Sequence, residues 1–278
     1  MDVKVLQDTP PWDWPRGAGK RFLELLADRR ANASDRLVAA ELAGDLTVMN
    51  EALADSLTAI VRSPEEPEQL RATAAIALGA ALEQADIDEF DDPDHVPITE
   101  STFRNIQDSF QKLYFDDGVP KEVRRRVLEA SVRAPEIWHP NAIAAAYSSG
   151  DRDWMLTAVF AMRWVRGFDD RILEALKSGD SEIHLEAVRA ADNWGLAGAW
   201  PHVAALVQNA GTPKPLLLAA MGAAASIRPA EAGIILVDLA DSEDEEIAEA
   251  AVEAMGMAEL GSGEEEDEDE EDDDEWLN

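Results

Sequence analysis

The four histidines are the first candidates for chemistry, because the sequence contains no Cys. Without Cys there is no thiolate nucleophile, no disulfide and no thiolate metal ligand. His95, His139, His184 and His202 lie far apart in the sequence; none forms a His-Glu dipeptide and no two are four residues apart. Metal-binding helices use such pairs, so the spacing predicts no histidine metal site.

Carboxylates and glycines also fail to form a known reactive motif. Asp86 and Asp88 have the spacing of two calcium ligands, but their segment lacks the glycine, the third oxygen ligand and the distal Glu of an EF-hand loop. There is no Gly-x-Ser-x-Gly turn, and residues 17–20 (GAGK) lack the full spacing and the following Ser or Thr of a phosphate-binding loop. We therefore predict no catalytic residue, no metal and no cofactor, and favour a binding protein over an enzyme.

The charge of the chain restricts its partners. It has 24 Lys and Arg against 58 Asp and Glu, a net charge of −34 at pH 7. Without the twelve acids of residues 264–275 the net charge is still −22. Such a field repels phosphate backbones and anionic lipid headgroups, so we expect neither nucleic acid nor membrane as a partner. A salt-rich habitat would favour the same composition, and the sequence leaves that alternative open.

The longest basic run does not make a binding patch. Arg124, Arg125 and Arg126 are consecutive, and on a helix three consecutive residues spread over about 200°. We expect these arginines to pair with neighbouring acids.

Seven segments of similar sequence determine the fold prediction. Each has small residues followed by Ala-Leu, Ala-Met or a similar pair, and most are about thirty residues apart, with one interval of 53. They begin at Asp35, Leu70, Val123, Trp154, Ile183, Pro215 and Ile247. Within a segment the apolar residues have helical spacing, as in Ile247, Ala251, Ala254 and Ala258. The pattern predicts an all-α protein of about seven helix hairpins, which must stack because one hairpin cannot bury its apolar face.

Three of these segments resemble a known repeat. Residues 70–82 (LRATAAIALGAAL), 183–195 (IHLEAVRAADNWG) and 247–260 (IAEAAVEAMGMAEL) are similar to the second helices of HEAT repeats, of the short type named after phycobilisome lyases. The resemblance implies an α-α superhelix, a HEAT-like solenoid. It leaves function open, because that family includes scaffolds, lyase subunits and a few enzymes.

The chain is predicted to have three parts. Residues 1–16, rich in Pro and Trp, form a cap; residues 17–260 form the solenoid, with an acidic loop at residues 83–100; residues 261–278 form a disordered acidic tail. Trp276 and Leu277 follow the acidic run of the tail, and we interpret them as an apolar anchor for a basic partner. The sequence leaves open the alternative that the tail only aids solubility. No apolar stretch has the length of a membrane span or the form of a secretory leader, so we expect a cytoplasmic protein.

The predicted function is a non-enzymatic scaffold or adaptor for protein partners, with a basic protein as one candidate. In stacked hairpins the second helices usually line the concave side, which forms a groove. The groove candidates are Arg124, Trp154, Arg163, His184 and Arg189. The alternative is a lyase or lyase subunit acting on a chromophore or another small ligand, as the resemblance allows. Its pocket would draw on the aromatic residues Trp138, Trp154, Phe160, Trp164 and Trp194.

Overall fold

A computed structural model describes residues 2–90 and 96–268, and every regular element in those residues is helical. The helices are α1 (Val3–Gln7), α2 (Ala18–Ala27), α3 (Ala33–Leu42), α4 (Glu51–Arg62), α5 (Glu68–Ala77), α6 (Gly79–Ile87), α7 (Glu100–Phe115), α8 (Lys121–Ser131), α9 (His139–Tyr147), α10 (Arg152–Met162), α11 (Asp169–Ala175), α12 (Ser181–Asn193), α13 (Trp200–Gln208), α14 (Lys214–Ile227), α15 (Pro229–Ala240) and α16 (Glu245–Glu268). Two short 3-10 helices cover Pro11–Asp13 and Ala197–Ala199. The all-α prediction is confirmed.

Side-chain caps and prolines explain where the helices begin. The Asn50 and Asp180 side chains accept hydrogen bonds from backbone N–H groups in the first turns of α4 and α12. These bonds satisfy donors that have no partner inside the helix. Pro67, Pro120 and Pro213 stand immediately before α5, α8 and α14. A proline there blocks helix extension from the preceding segment.

The chain forms two compact units, Met1–Ala142 (unit 1) and Ile143–Asn278 (unit 2). In unit 1 the hairpins are α2/α3, α4/α5 (continued by α6) and α7/α8, and the second helices α3, α5 and α8 pack in series. In unit 2 the second helices α10, α12, α14 and α16 pack in series in the same way, with α11, α13 and α15 as first helices. A short turn, residues 148–151, joins α9 to α10.

The repeat prediction is confirmed within the described residues. The seven predicted segments fall one each in α3, α5, α8, α10, α12, α14 and α16. Each of these helices packs on the preceding or following second helix of its unit. This serial packing of helix hairpins is the architecture of a HEAT-like helical repeat.

Small residues allow close approach of second helices in unit 1. Gly44 follows α3 and lies against the end of α5, where a Cβ added to it would be 2.8 Å from the Cα and carbonyl oxygen of Ala77. Real Cβ atoms do not approach backbone atoms so closely, so this contact requires glycine.

The N-terminal segment lies on the first hairpin. Helix α1 packs on α3. The Trp14 indole N–H donates to the carbonyl oxygens of Leu6 (3.2 Å) and Thr9 (2.8 Å), and its ring meets the buried Phe22 ring edge-on at 5.5 Å. Trp14 therefore connects the segment 1–16 to the core of unit 1.

Two other predicted segments differ in extent. Helix α6 continues through Ile87, so the connection to α7 covers residues 88–99 and is shorter than the predicted loop at 83–100. Residues 91–95 of that connection lie outside the described part of the chain. Helix α16 extends to Glu268, and residues 269–278, with Trp276 and Leu277, also lie outside it.

Candidate binding site

Three consecutive second helices of unit 2 line a cavity of about 770 Å³, which we call the second-helix cavity. Arg163, which ends α10, and Arg189 of α12 contribute cationic side chains. Gly222 and Ser226 of α14 lie on the facing wall. The lining residues are exposed or half-buried, so the cavity opens to solvent.

Helical spacing brings the lining residues to one face of each helix. On α12, Arg189, Asp192 and Asn193 are three and four residues apart. On α14, the lining residues include Leu218, Ala219 and Gly222, and the first two give that wall an apolar surface. Residues three and four apart are neighbours on a helix surface, so each helix presents one strip to the cavity.

The two arginines of the cavity differ in their contacts with the protein. A terminal N–H of Arg189 donates to Oε1 of Glu186 at 2.7 Å. The Arg163 guanidinium lies 5.6 Å from the centroid of the Trp164 ring and forms no ion pair with any described residue. Arg163 is therefore the cation of the cavity with the most capacity for a ligand.

Asp192 is the carboxyl group of the cavity. Burial raises its pKa above the usual range for Asp, while a hydrogen bond with Ser226 and the charge of Arg163 oppose that rise. Its Oδ2 lies 3.6 Å from the position that a Gly222 Cβ would take, so Asp192 faces α14.

The structure brings two of the five predicted groove residues, Arg163 and Arg189, to this cavity. Trp154 lies in the first turn of α10, where its backbone N–H donates to Asp151. Arg124 lies in unit 1, where its Nε donates to the carbonyl oxygen of Tyr114 at 2.8 Å. His184 lies outside the cavity lining, and a binding role for these three residues stays a prediction.

The bond made by Arg124 recurs in the other hairpins of unit 1. Arg36 donates to the carbonyl oxygen of Leu26 at 3.0 Å, and Arg71 donates to that of Val61 at 2.9 Å. In all three cases the acceptor is ten residues earlier, near the end of the preceding first helix. Each arginine is the second residue of its repeat segment, a regularity that is visible in the sequence. Arg124 therefore connects the two helices of its own hairpin.

His184 occupies the same repeat position in α12 and contacts a second histidine. Its Nε2 lies 2.7 Å from Nε2 of His202 in α13, so one imidazole N–H donates to the other ring nitrogen. Burial lowers the pKa of both histidines. The charge of His202 lowers the pKa of His184 further, and the charge of Lys177 lowers that of His202. Nowhere in residues 2–90 and 96–260 do three or more His, Asp or Glu side chains form a group that could hold a metal ion.

The aromatic residues proposed for a ligand pocket do not line the second-helix cavity. Trp138 belongs to unit 1, where its ring lies 5.1 Å from that of Tyr114. The Trp194 indole N–H donates to the carbonyl oxygen of Met162 at 2.8 Å, a contact between α10 and α12. Trp138 and Trp194 therefore contribute to packing between helices.

The helices and the cavity together define a HEAT-like helical repeat protein. No family model matches the chain, and no curated protein does. Among solved structures, YIBA of E. coli is 17% identical over 91% of this chain and 85% of that chain, with a TM-score of 0.46. Human deoxyhypusine hydroxylase in complex with glycerol is 18% identical over 93% of this chain and 96% of that chain, with a TM-score of 0.41. A designed armadillo repeat protein in complex with the peptide (KR)4 is 17% identical over 84% of this chain and 98% of that chain, with a TM-score of 0.34. Likenesses this distant do not extend to activity or ligand.

Within the described residues no helix has both the length and the apolar character needed to cross a bilayer.

Proposed function

We propose that this protein is a non-enzymatic adaptor that holds a segment of a partner protein in the second-helix cavity of unit 2. The observation that supports the proposal is that α10, α12 and α14 jointly line one open cavity of about 770 Å³. A cavity of that size can take several side chains of a bound segment, and consecutive helices of a repeat offer an extended surface.

The polar groups of the cavity fit binding better than catalysis. The Asn193 amide already donates to the carbonyl oxygen of Arg163 at 2.9 Å, and the Ser226 hydroxyl donates to that of Gly222 at 3.2 Å. No histidine lines the cavity, so Ser226 lacks the Ser-His pair of a nucleophilic serine, and the acid beside it is Asp192.

Filling the cavity tests the adaptor function. A display library of random seven-residue peptides is selected on the full chain, and the peptides recovered are measured on two variants. Gly222→Leu places a side chain in the cavity, whereas Gly233→Leu makes the same change on α15, where a Cβ meets no atom within 4 Å. We expect Gly222→Leu to weaken binding at least about tenfold, or 1.4 kcal/mol, and Gly233→Leu to leave it unchanged. Equal binding by both variants would reject the cavity as the binding site.

We also propose that the acidic segment recruits a basic partner through Trp276 and Leu277. The support is the sequence alone: twelve consecutive acids provide long-range attraction, and an aromatic-aliphatic pair can add specificity. Truncation after Glu268 keeps all of α16 and removes seven of the twelve acids together with Trp276 and Leu277. It should weaken salt-sensitive binding of a peptide that contains Lys and apolar residues, measured by fluorescence anisotropy. Trp276→Ala should retain the attraction between charges and lose the apolar part. If the truncated chain binds equally and only its solubility falls, the segment is solubilising.

A second candidate function, that of a lyase or lyase subunit, depends on the finer family assignment to the phycobilisome lyase type of repeat. Membership in the phycobilisome lyase type of repeat would make a lyase or lyase subunit the second candidate, and the cavity volume lies in the range of small-ligand sites. The absence of aromatic rings from its lining is unfavourable for a flat chromophore. A spectral shift on adding a tetrapyrrole would support the lyase, whereas unchanged spectra at saturating ligand would reject it.

The charge of the chain supports the proposal that neither nucleic acid nor a membrane is a partner. A net charge of −34 opposes association with either polyanionic surface. The proposal that the protein acts in the cytoplasm is supported by the absence of Cys, which suits a reducing compartment.

A further inference from the structure

The second-helix cavity is a cationic exception in an acidic protein. Two arginines and one aspartate line it, although acids outnumber bases by more than two to one in the chain. From this exception, and resting on the proposed adaptor function, we infer that Arg163 and Arg189 form a subsite for the carboxylate of an acidic side chain in the bound segment.

Arg163 has the stronger claim to contact that carboxylate. Its guanidinium forms no ion pair with any described residue and lines the cavity at the end of α10. A guanidinium presents five N–H donors in a planar fork, and two of them match the two oxygens of a carboxylate. The charges of Arg163 and Asp192 interact, but the two do not form an ion pair, and a ligand carboxylate would supply one.

Arg189 approaches from α12 and is partly oriented by Glu186. One terminal nitrogen is bonded to Glu186, which limits the conformations of the side chain. A donor that is already oriented loses less conformational entropy when a ligand binds. The Glu186 charge also weakens the field of Arg189, so we expect its substitution to have a smaller effect than that of Arg163.

Asp192 and the wall formed by α14 determine what surrounds the bound acidic residue. Asp192, on α12, faces Gly222 on α14, so a second acidic side chain of the ligand placed between them would meet a like charge. Leu218 and Ala219 give the same wall its apolar surface. The geometry therefore favours a segment with one acidic residue next to small apolar residues.

Three display libraries test the subsite. Each contains seven-residue peptides with a fixed central residue, which is Glu, Gln or Lys. The full chain is compared with Arg163→Gln and Arg189→Gln. The control is Arg62→Gln, which removes the same charge at an exposed position at the end of α4. Circular dichroism and thermal melting confirm that each variant is folded.

The expected result is enrichment from the Glu library alone. Loss of a charge-assisted hydrogen bond should make the recovered peptides bind at least about tenfold more weakly to Arg163→Gln, and the loss of affinity should be smaller for Arg189→Gln. Binding to Arg62→Gln should be unchanged. An equal loss with Arg62→Gln would mean general attraction by charge and would overturn the subsite.

The remaining outcomes separate the subsite from the adaptor function. Equal enrichment from the Gln library, or preference for the Lys library, with binding still blocked by Gly222→Leu, would overturn the carboxylate subsite and leave the adaptor function intact. Enrichment from none of the three libraries would overturn both. Acetate that competes as strongly as the peptides themselves would show a simple anion site and would also overturn the subsite.

Discussion

Units 1 and 2 use the same repeat position in different ways. In unit 1 this position holds Arg36, Arg71 and Arg124, each of which donates to a backbone carbonyl ten residues earlier. In unit 2 it holds Met155 in α10 and His184 in α12. In unit 1 these arginines, of which Arg36 and Arg71 are buried and Arg124 is half-buried, therefore connect the two helices of a hairpin. In unit 2 the arginines Arg163 and Arg189 line a cavity instead.

The distance between neighbouring second helices also differs between the two units at the glycines that lie between them. The glycine at the end of α3 in unit 1 touches the backbone of α5, with no room for a methyl group. Gly222 of α14 in unit 2 has room for one. We conclude that the second helices approach each other more closely at Gly44 of unit 1 than at Gly222 of unit 2, and the following experiments test that distinction.

The largest expected effect is that of Gly44→Ala. Its Cβ would lie 2.8 Å from two backbone atoms of Ala77, so α3 and α5 must separate. We expect the free energy of unfolding to fall by about 3 kcal/mol, at the upper end of overpacking costs, as measured by urea denaturation. A loss below about 0.5 kcal/mol would show that the second helices of unit 1 are not tightly packed.

Acid should destabilise unit 1 through His139. The side chain is fully buried, its Nδ1 accepts the Glu136 N–H at 2.7 Å, and its Nε2 lies 2.9 Å from the Ser131 hydroxyl. Burial lowers the pKa of His139 to about 4, below its ordinary value of 6.5. The unfolded chain therefore binds the proton first, so stability is complete above pH 6.5 and falls as the pH approaches 4, by about 3 kcal/mol in total.

The measurement is the free energy of unfolding between pH 5 and 6.5, where most carboxyl groups of ordinary pKa remain ionised. His139→Gln should flatten the pH dependence more than the double variant His184→Gln/His202→Gln, because His139 is fully buried and the pair in unit 2 is only partly buried. An unchanged slope in His139→Gln would contradict a buried, neutral His139.

Much of the fold could be predicted because the same residue types recur at the same positions of each repeat. Small residues and Ala-Leu pairs recur about every thirty residues, and the helices follow them. The cavity could be predicted only in part. Arg163 and Arg189 stand out as cations on second helices, but the approach of Asp192 to Gly222 depends on the rotation of α12 against α14, which helical spacing within one segment does not determine.

An intermediate effect is expected of Arg71→Met, which gives unit 1 the residue type that α10 of unit 2 has at this position. Arg71 is 4% exposed, and its loss leaves the Val61 carbonyl oxygen without that donor. A buried acceptor without a partner costs about 1 to 3 kcal/mol, so we expect a loss of about 2 kcal/mol in urea denaturation. The matched control is Arg62→Met, at an exposed position of α4, which should change stability by less than about 0.5 kcal/mol. Equal losses would mean that the carbonyl contact does not fasten the hairpin.

The smallest effect, and one of opposite sign, is expected of Gly222→Ala. Its Cβ would meet only Asp192 Oδ2, at an ordinary contact distance of 3.6 Å. Glycine inside a helix costs about 0.5 to 1 kcal/mol relative to alanine, so the variant should be more stable by about that amount. A methyl group also occupies little of a cavity of about 770 Å³, so peptide binding should persist in Gly222→Ala and be lost only in Gly222→Leu. A destabilised Gly222→Ala would show that α12 and α14 are as tightly packed as α3 and α5, and the distinction between the two units would then fail.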